Sequence, residues 1–235
     1  MNSTNNYSAR MSYDIAKQVL FNSWIDSFQG QSKACWAWVN GRKLSQHEIR
    51  LEVGLNINNN RFAFGVTPNQ ANSTNVIFPT ENRLMLQDSL VVSEYAIFVA
   101  QPTSNADVTY TLNTYGNTQV FAAADAAALD STFYSNGFFS TKVNNDVVIP
   151  YRGLFNHWYK PQTQQTAALG AGAPKDQLRG AEDGFVTQEP NLLLIGSKNY
   201  VPEIVLPGAL ASAAAFMRAI LIYRGVLAQN STVVN

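Results

Sequence analysis

The stretch HEIRLEVGLNI, residues 47–57, alternates polar or charged side chains with apolar ones. Successive side chains of a β-strand point to opposite faces, so this alternation places all the apolar members on one face. The run NNN at residues 58–60 follows as a turn, and Phe62 and Phe64 continue the period of two. The pattern predicts an amphipathic antiparallel hairpin with one buried face. The apolar members of its first strand are Ile49, Leu51, Val53, Leu55 and Ile57.

Short apolar segments separated by Asn, Gly and Pro continue along the rest of the chain. Residues 90–100 (LVVSEYAIFVA) are apolar on both faces, which predicts a central strand covered on both sides. Residues 216–227 fit either a strand or a helix, and the alanines of residues 209–215 favour a helical turn before them. Further strands are predicted at residues 76–78, 84–86, 108–113, 138–143, 147–149, 192–195 and 200–206, with a turn at Asn136-Gly137.

Turn signals spaced about ten residues apart favour a β-sandwich or barrel over strand–helix alternation. We therefore predict a mainly β fold, an antiparallel β-sandwich of jelly-roll type. An N-terminal helical arm precedes it, and the alanine-rich residues 122–129 form a short helix. The alternative is a compact double jelly roll. The predicted domains are an arm and helix at residues 1–44 and a sandwich at residues 45–235, with a long loop at residues 160–190.

The N-terminal region is predicted to begin as a polar, flexible arm at residues 1–11. Ser12 is a suitable cap for a following helix, which ends near Gly30. This helix packs either on its own domain or on a neighbouring subunit. Residues 33–44 predict a strand with Trp36 and Trp38 on one side, either as a platform that stacks on sugars or as a core or interface pair.

The composition excludes several classes of protein. Sixteen Lys and Arg balance sixteen Asp and Glu, so the chain lacks the cation surplus of a protein that binds nucleic acid by bulk electrostatics. Polarity comes instead from 24 Asn, 14 Gln, 17 Ser and 15 Thr residues. A surface with so little net charge repels its own copies weakly and favours association. The single cysteine, Cys35, excludes an internal disulfide.

No residue pattern predicts a catalytic, cofactor-binding or metal-binding site. The two histidines, His47 and His157, are far apart in sequence. His47 opens a strand and is interpreted as a solvated polar residue, whereas His157 lies in the aromatic segment NHWY and is the only candidate for nucleophilic catalysis. Residues 170–175 lack the Lys-Ser/Thr pair of a phosphate-binding loop. An acidic cluster around Glu182-Asp183, with Asp176, is interpreted as hydrated surface rather than a calcium site.

In general style the chain resembles tailless or tailed bacteriophage coat proteins. The features that carry the resemblance are the N-terminal arm, the strands from Ile49 onward, and the loop at residues 160–190, which is rich in Gln, Ala, Gly and Pro. No family motif is matched, so no functional residue is carried over. The resemblance implies a shell protein of the virion, present in many symmetry-related copies.

The predicted function is that of a structural capsid subunit, not an enzyme, whose partners are itself and other virion proteins. No strong nucleic-acid signal is present, and contact with a membrane is left open. A carbohydrate- or receptor-binding β-sandwich module is the alternative, suggested by Trp36, Trp38, Trp158 and Tyr159. A hydrolase that uses His157 is a third hypothesis.

Overall fold

The protein is mainly β, with two antiparallel four-stranded sheets and a few helices. The structure is a computed structural model that describes residues 4–64, 78–143, 146–159, 163–164, 173–174 and 184–232. The helices are α1 (Thr4–Trp24), α2 (Ser32–Asn40) and α3 (Ala123–Ala128). Two 3₁₀ turns cover Ile25–Phe28 and Leu154–His157, and a π-helical turn covers Leu129–Tyr134.

Ten strands are present in the described residues. They are β1 (Lys43–Gly54), β2 (Arg61–Ala63), β3 (Ser89–Ala100), β4 (Phe138–Val143), β5 (Asp146–Gly153), β6 (Thr163–Gln164), β7 (Ala173–Pro174), β8 (Phe185–Ile195), β9 (Tyr200–Val205) and β10 (Arg218–Gln229). The first sheet has the order β1-β10-β3-β8, and the second has the order β2-β9-β4-β5. Strands β6 and β7 pair with each other.

The main hydrophobic core is shared by the two sheets. It contains Ile49 and Leu51 from β1 together with Phe139, Ile149 and Ile204 from the second sheet. The prediction of a buried apolar face on residues 47–57 is confirmed for Ile49, Leu51 and Leu55, which are all buried. Ile57 is exposed, because the strand ends at Gly54 and the alternation no longer applies beyond it.

Strand β3 is central and covered on both faces, as its sequence predicts. It lies between β10 and β8, and all but two of its residues are buried. Tyr95, Ile97 and Val99 belong to the core between the sheets, whereas Ala96 and Phe98 belong to a separate cluster on the opposite face. A strand with both faces buried needs apolar side chains at consecutive positions.

The helices cover part of the outer face of the first sheet. Ala16 and Leu20, one helical turn apart on α1, are buried in a cluster with Val91, Val226 and Ala228 of the sheet. Helix α2 adds Cys35 and Val39 to this cluster, again four residues apart. The predicted N-terminal helix therefore packs on its own chain.

Two predictions for the N-terminal region are wrong. Helix α1 begins at Thr4, so residues 4–11 belong to the helix instead of a separate arm, and Ser12 lies in the helix interior. Residues 33–44 are not a strand, because α2 occupies residues 32–40. The decisive spacing there is the helical one between Cys35 and Val39, which buries both side chains.

The predicted hairpin after β1 is also wrong. Strand β1 pairs with β10, and β2 pairs with β9 of the other sheet. The chain therefore crosses from one sheet to the other after residues 58–60. Phe62 and Phe64 enter the same core from the opposite side. A period of two is identical in both arrangements, so the sequence does not distinguish them.

Other segments differ from their predictions in similar ways. Residues 84–86 and 108–112 form no strand, although Asn113 makes an isolated bridge with Val99. Residues 209–215 are not helical, and the ambiguous residues 216–227 belong to strand β10 from Arg218 onward. Asn136-Gly137 follows a π-helical turn instead of joining a hairpin.

Most of the predicted loop at residues 160–190 lies outside the described residues. Its last residues form a strand, because β8 starts at Phe185. The short helix predicted at residues 122–129 is confirmed as α3. The strands predicted at residues 138–143 and 147–149 are confirmed as β4 and β5, which pair antiparallel.

Candidate functional site

Strand β5 forms one edge of the second sheet and carries exposed apolar side chains. Its partner on one side is β4. Ile149 is fully buried and anchors the strand to the core, whereas Val147, Val148 and Tyr151 are each between 40% and 50% exposed. The β4–β5 register shifts between Phe139 and Thr141 and again between Thr141 and Lys142. Each shift lets a residue leave the strict alternation, so two consecutive valines are exposed.

Exposed apolar side chains on an edge strand mark an interaction surface, because an unpaired edge is a ready template for another chain. Pro150 lies in the middle of β5. Proline has no backbone N–H, so it interrupts the hydrogen-bonding ladder that a further strand would need. The β5 edge can therefore contact a partner through its side chains, but it cannot extend the sheet as an uninterrupted ladder.

The polar groups beside β5 are paired with one another. The carboxylate of Glu203, on β9, accepts a hydrogen bond of 2.7 Å from Nζ of Lys142. It also lies 3.8 Å from Nη1 of Arg61. The hydrogen bond from Lys142 to Glu203 raises the pKa of this lysine. Ser140 also donates to Glu203, at 3.3 Å. The carboxylate of Glu203 is thus paired with Lys142 and Arg61, and the apolar side chains of β5 are exposed beside this group.

A buried ionic network lies on the first sheet, on the face that the alternation at residues 47–57 assigns to polar and charged side chains. Glu52 of β1 and Arg218 of β10 form an ion pair of 2.8 Å, and neither side chain has any exposed area. Tyr110 donates to Oε1 of Glu52 at 2.6 Å, Nε of Arg50 donates to the same atom at 2.9 Å, and the hydroxyl of Thr80 donates to it as well. Glu52 lies on the polar face of the amphipathic strand that the alternation predicts, but this face is covered at Glu52, which is 4% exposed.

The network connects segments without regular secondary structure to the outer face of the first sheet. Nη2 of Arg218 donates to the backbone carbonyls of Ser104 and Asn105, at 2.9 Å and 3.0 Å. Its guanidinium lies 4.1 Å from the centre of the Phe78 ring, within cation–π range. Burial alone would raise the pKa of Glu52, but its hydrogen bonds from Thr80, Tyr110 and Arg218 outweigh burial and lower the pKa. The signal in the sequence was Arg218 itself, a charge inside an apolar run.

His157 occupies a structural position. It is 1% exposed, and its Nδ1 lies 3.0 Å from the carbonyl oxygen of Gly184. A carbonyl only accepts hydrogen bonds, so Nδ1 carries the proton. Burial is the main cause that lowers the pKa of His157 to about 4; the bond to Gly184 opposes this shift, and the charge of Arg152 contributes to it. A neutral, enclosed imidazole bound to the backbone holds two segments together. His47, by contrast, is half-buried in β1.

The aromatic residues that suggest a sugar platform lie in two separate places. Trp36 stacks on Phe21 with ring centres 4.6 Å apart, and Trp38 contacts Trp24 and Phe28. All of them belong to the cluster under the helices. Because α2 is a helix, side chains two residues apart diverge instead of sharing one side.

The second group lies after β5. Trp158 packs on the main core, and its indole nitrogen donates to Asp130 at 3.1 Å. Phe155 stacks on Trp158 with ring centres 5.9 Å apart and is 59% exposed. No sequence pattern distinguishes Phe155 from the other aromatic residues of the chain. It is the aromatic side chain of this group that solvent reaches most.

The described residues contain no group of three or more His, Cys, Asp or Glu side chains arranged to hold a metal ion. Within the same residues, no helix combines the length and apolar character needed to cross a membrane. The sole cysteine, Cys35, is buried, and burial raises the pKa of its thiol. Gly170, Gly172 and the acidic cluster around Glu182-Asp183 lie outside the described residues.

Comparison with known proteins identifies no relative: the chain matches no protein-family model, no curated protein and no solved structure.

Proposed function

We propose that this protein is a structural subunit of a viral shell, of the kind found in bacteriophage capsids, and that it acts in the virion by self-assembly. Its partners are further copies of itself and other virion proteins. The strand pairing supports the jelly-roll form of the fold, and the surface supports association with other copies.

Eight strands make up the two four-stranded sheets, and their pairing follows a simple rule. The first pairs with the last (β1–β10), the second with the last but one (β2–β9), the third with the sixth (β3–β8), and the fourth with the fifth (β4–β5). An antiparallel ribbon with its turn between β4 and β5, wrapped over on itself, has this pairing. The jelly roll is a double-sheet fold of eight strands and occurs in both viral capsid and lectin domains.

A fold does not define a function, so the choice between a capsid subunit and a lectin-like module rests on the surface of the protein. The observation that carries it is the β5 edge, with Val147, Val148 and Tyr151 exposed on a chain whose formal net charge is zero. The burial of apolar surface area by a partner is favourable and lowers the free energy. Copies without net charge approach each other with little long-range repulsion. A second copy is therefore the partner that this surface fits best.

Pro150 makes this contact selective. Because it interrupts the ladder of β5, a neighbouring copy packs on side chains and does not add strands without limit. This is the behaviour required of a shell subunit, which must associate in a defined geometry and avoid fibrous aggregation.

The test is the association of purified protein, measured by sedimentation velocity over a wide concentration range and by negative-stain electron microscopy. The wild-type chain should form discrete assemblies. The double variant Val148→Asp/Tyr151→Ser should associate at least tenfold more weakly with an unchanged melting temperature. The matched control is Gln46→Asp, which adds one charge at an exposed position of β1, an edge strand of the first sheet, and should associate like the wild type. A wild-type chain that stays monomeric at every concentration would contradict the proposal.

A glycan- or receptor-binding module is the second candidate, and the Phe155–Trp158 pair is the observation that favours it. An exposed ring stacked on a second ring, which Asp130 holds in place, resembles a platform for the apolar face of a sugar. Phe155→Ala removes the exposed ring and leaves the bond between Trp158 and Asp130 intact. Glycan-array binding by the wild type that this variant loses would favour the second candidate.

A further inference from the structure

Phe216 is an aromatic residue held in the left-handed region of the backbone. Its φ is +68°, and its side chain is 42% exposed. The residues that follow it, Met217 and Arg218, are both fully buried. Phe216 therefore sits at the point where the chain leaves the surface and enters strand β10.

A bulky side chain at positive φ is a genuine outlier, because its Cβ crowds the backbone. Glycine would occupy the same position without this cost. The side chain of Phe216 is 42% exposed, so burial in the core does not account for the choice of phenylalanine. Strained positions concentrate where a side chain serves a function.

The register of the strands places Phe216 at the same end of the two sheets as three other exposed apolar residues. Leu55, at the end of β1, donates to the carbonyl of Met217, and Ile57 lies two residues beyond. Arg61 and Phe138 are both paired with Val205 of β9, and Phe138 is paired with Gly153, which immediately precedes the turn that contains Phe155. We call this set the apical surface: Ile57, Phe138, Phe155 and Phe216.

We propose that the apical surface is a second contact between copies of this chain and that Phe216 is its central anchor. The inference rests on the proposed function. Its members are 42–59% exposed, and an aromatic side chain has about 200 Å² of surface, so together they offer on the order of 400 Å². A standard interface buries about 800 Å² per partner, of which about 57% is apolar. The apical surface therefore matches the apolar content of one complete interface.

A shell subunit needs more than one contact. A single self-complementary surface closes after two copies, whereas extended assemblies require further interfaces on the same subunit. The apical surface and the β5 edge have different residues and supply two such interfaces. The asparagines at residues 56 and 58–60 lie beside Ile57 and provide uncharged polar groups for the rim of the contact.

The experiment replaces Phe216 with glycine and asparagine, the residues that tolerate positive φ best. Both variants relieve the backbone and remove the ring. We expect the denaturation midpoint to stay the same or rise, while association measured by sedimentation weakens at least tenfold. The matched control is Gln29→Gly, which relieves another exposed residue with positive φ, +52°, and should leave association unchanged.

The outcomes separate this inference from the proposed function. If Phe216→Gly lowers the denaturation midpoint, the ring packs within its own chain and the inference fails. If the wild type assembles, the β5 double variant does not, and Phe216→Gly assembles normally, the inference fails while the proposed function stands. If the wild type is monomeric throughout, the proposed function fails, and the apical contact fails with it.

Discussion

Arg218 donates from Nη1 to Oε2 of Glu52 over 2.8 Å, and both side chains are completely shielded from solvent. A buried ion pair contributes little net stability when it is compared with apolar residues of equal size, but removal of one partner leaves an uncompensated charge. Here the pair also holds the carbonyls of Ser104 and Asn105 and the hydroxyl of Tyr110. The ion pair therefore fixes the segment at residues 104–105, which belongs to no strand.

Disruption of this pair should therefore destabilise the protein strongly. Glu52→Gln leaves the guanidinium of Arg218 buried without its carboxylate, and we expect a loss of about 3–5 kcal/mol in the free energy of unfolding. Arg218→Met should also destabilise. The double variant should cost clearly less than the sum of the two, because no unpaired charge remains. Denaturant unfolding of all four proteins measures the coupling, and strictly additive losses would argue against it.

The buried face of β1 predicts a second large effect. Leu51 is fully buried in the core between the sheets, so Leu51→Asp places an unpaired carboxylate in an apolar environment. We expect a loss of several kcal/mol, or failure to fold. Gln46→Asp makes the same charge change at an exposed position of the same strand and should alter the melting temperature little. A Leu51→Asp protein that melts like the wild type would refute the assignment of this face.

His157 makes stability depend on pH below neutrality. Its pKa in the folded protein is about 4, lowered chiefly by burial from an ordinary value of 6.5. Between these values the unfolded chain binds a proton that the folded chain does not, so stability falls as the pH decreases from 6.5 to 4. A shift of this size corresponds to about 3 kcal/mol.

The measurement is the free energy of unfolding as a function of pH. His157→Asn retains a donor toward the carbonyl of Gly184 and removes the titrating group, so it should flatten the decline between pH 6.5 and pH 4. His47→Asn is the matched control at the other histidine and should preserve the decline. The same slope in wild type and His157→Asn would show that other groups cause it.

The start of α1 is predicted to serve assembly more than folding. Ala16 and Leu20, which the structure shows buried between this helix and the first sheet, lie after position 11. Deletion of residues 1–11 should therefore leave the melting temperature within a few degrees of the wild-type value and weaken association. Circular dichroism melting and sedimentation velocity measure the two effects. A large drop in stability with unchanged association would instead make this segment an internal element.

The local sequence pattern predicts secondary structure and burial correctly for segments whose side-chain period matches their environment in the fold. The alternation at residues 47–55 identified the buried face of β1, and the uninterrupted apolar run at residues 90–100 identified a strand covered on both faces. The alanines of residues 122–129 identified α3. In each case the side-chain period itself determines which groups avoid water.

Partners distant in sequence decided the remaining features. A period of two does not reveal whether Phe62 continues a hairpin with β1 or pairs across to β9, and the exposure of Glu52 depended on Arg218, which lies 166 positions away. The spacing of Trp36 and Trp38 predicts a strand, but these residues lie in α2, where the helical spacing of Cys35 and Val39 buries both of those side chains against the first sheet.

The exposed residues that carry both proposals could not be recognised from the sequence either. The period of two says which side chains share a face, but it does not say whether anything covers that face. Val147 and Tyr151 are exposed although each lies two residues from the buried Ile149, because two register shifts displace them from the alternation. Phe216 is exposed in the turn that precedes β10. Burial is a property of the completed packing of both sheets, so sequence determined the strands and their inward faces, while tertiary structure alone determined which apolar groups remain for a partner.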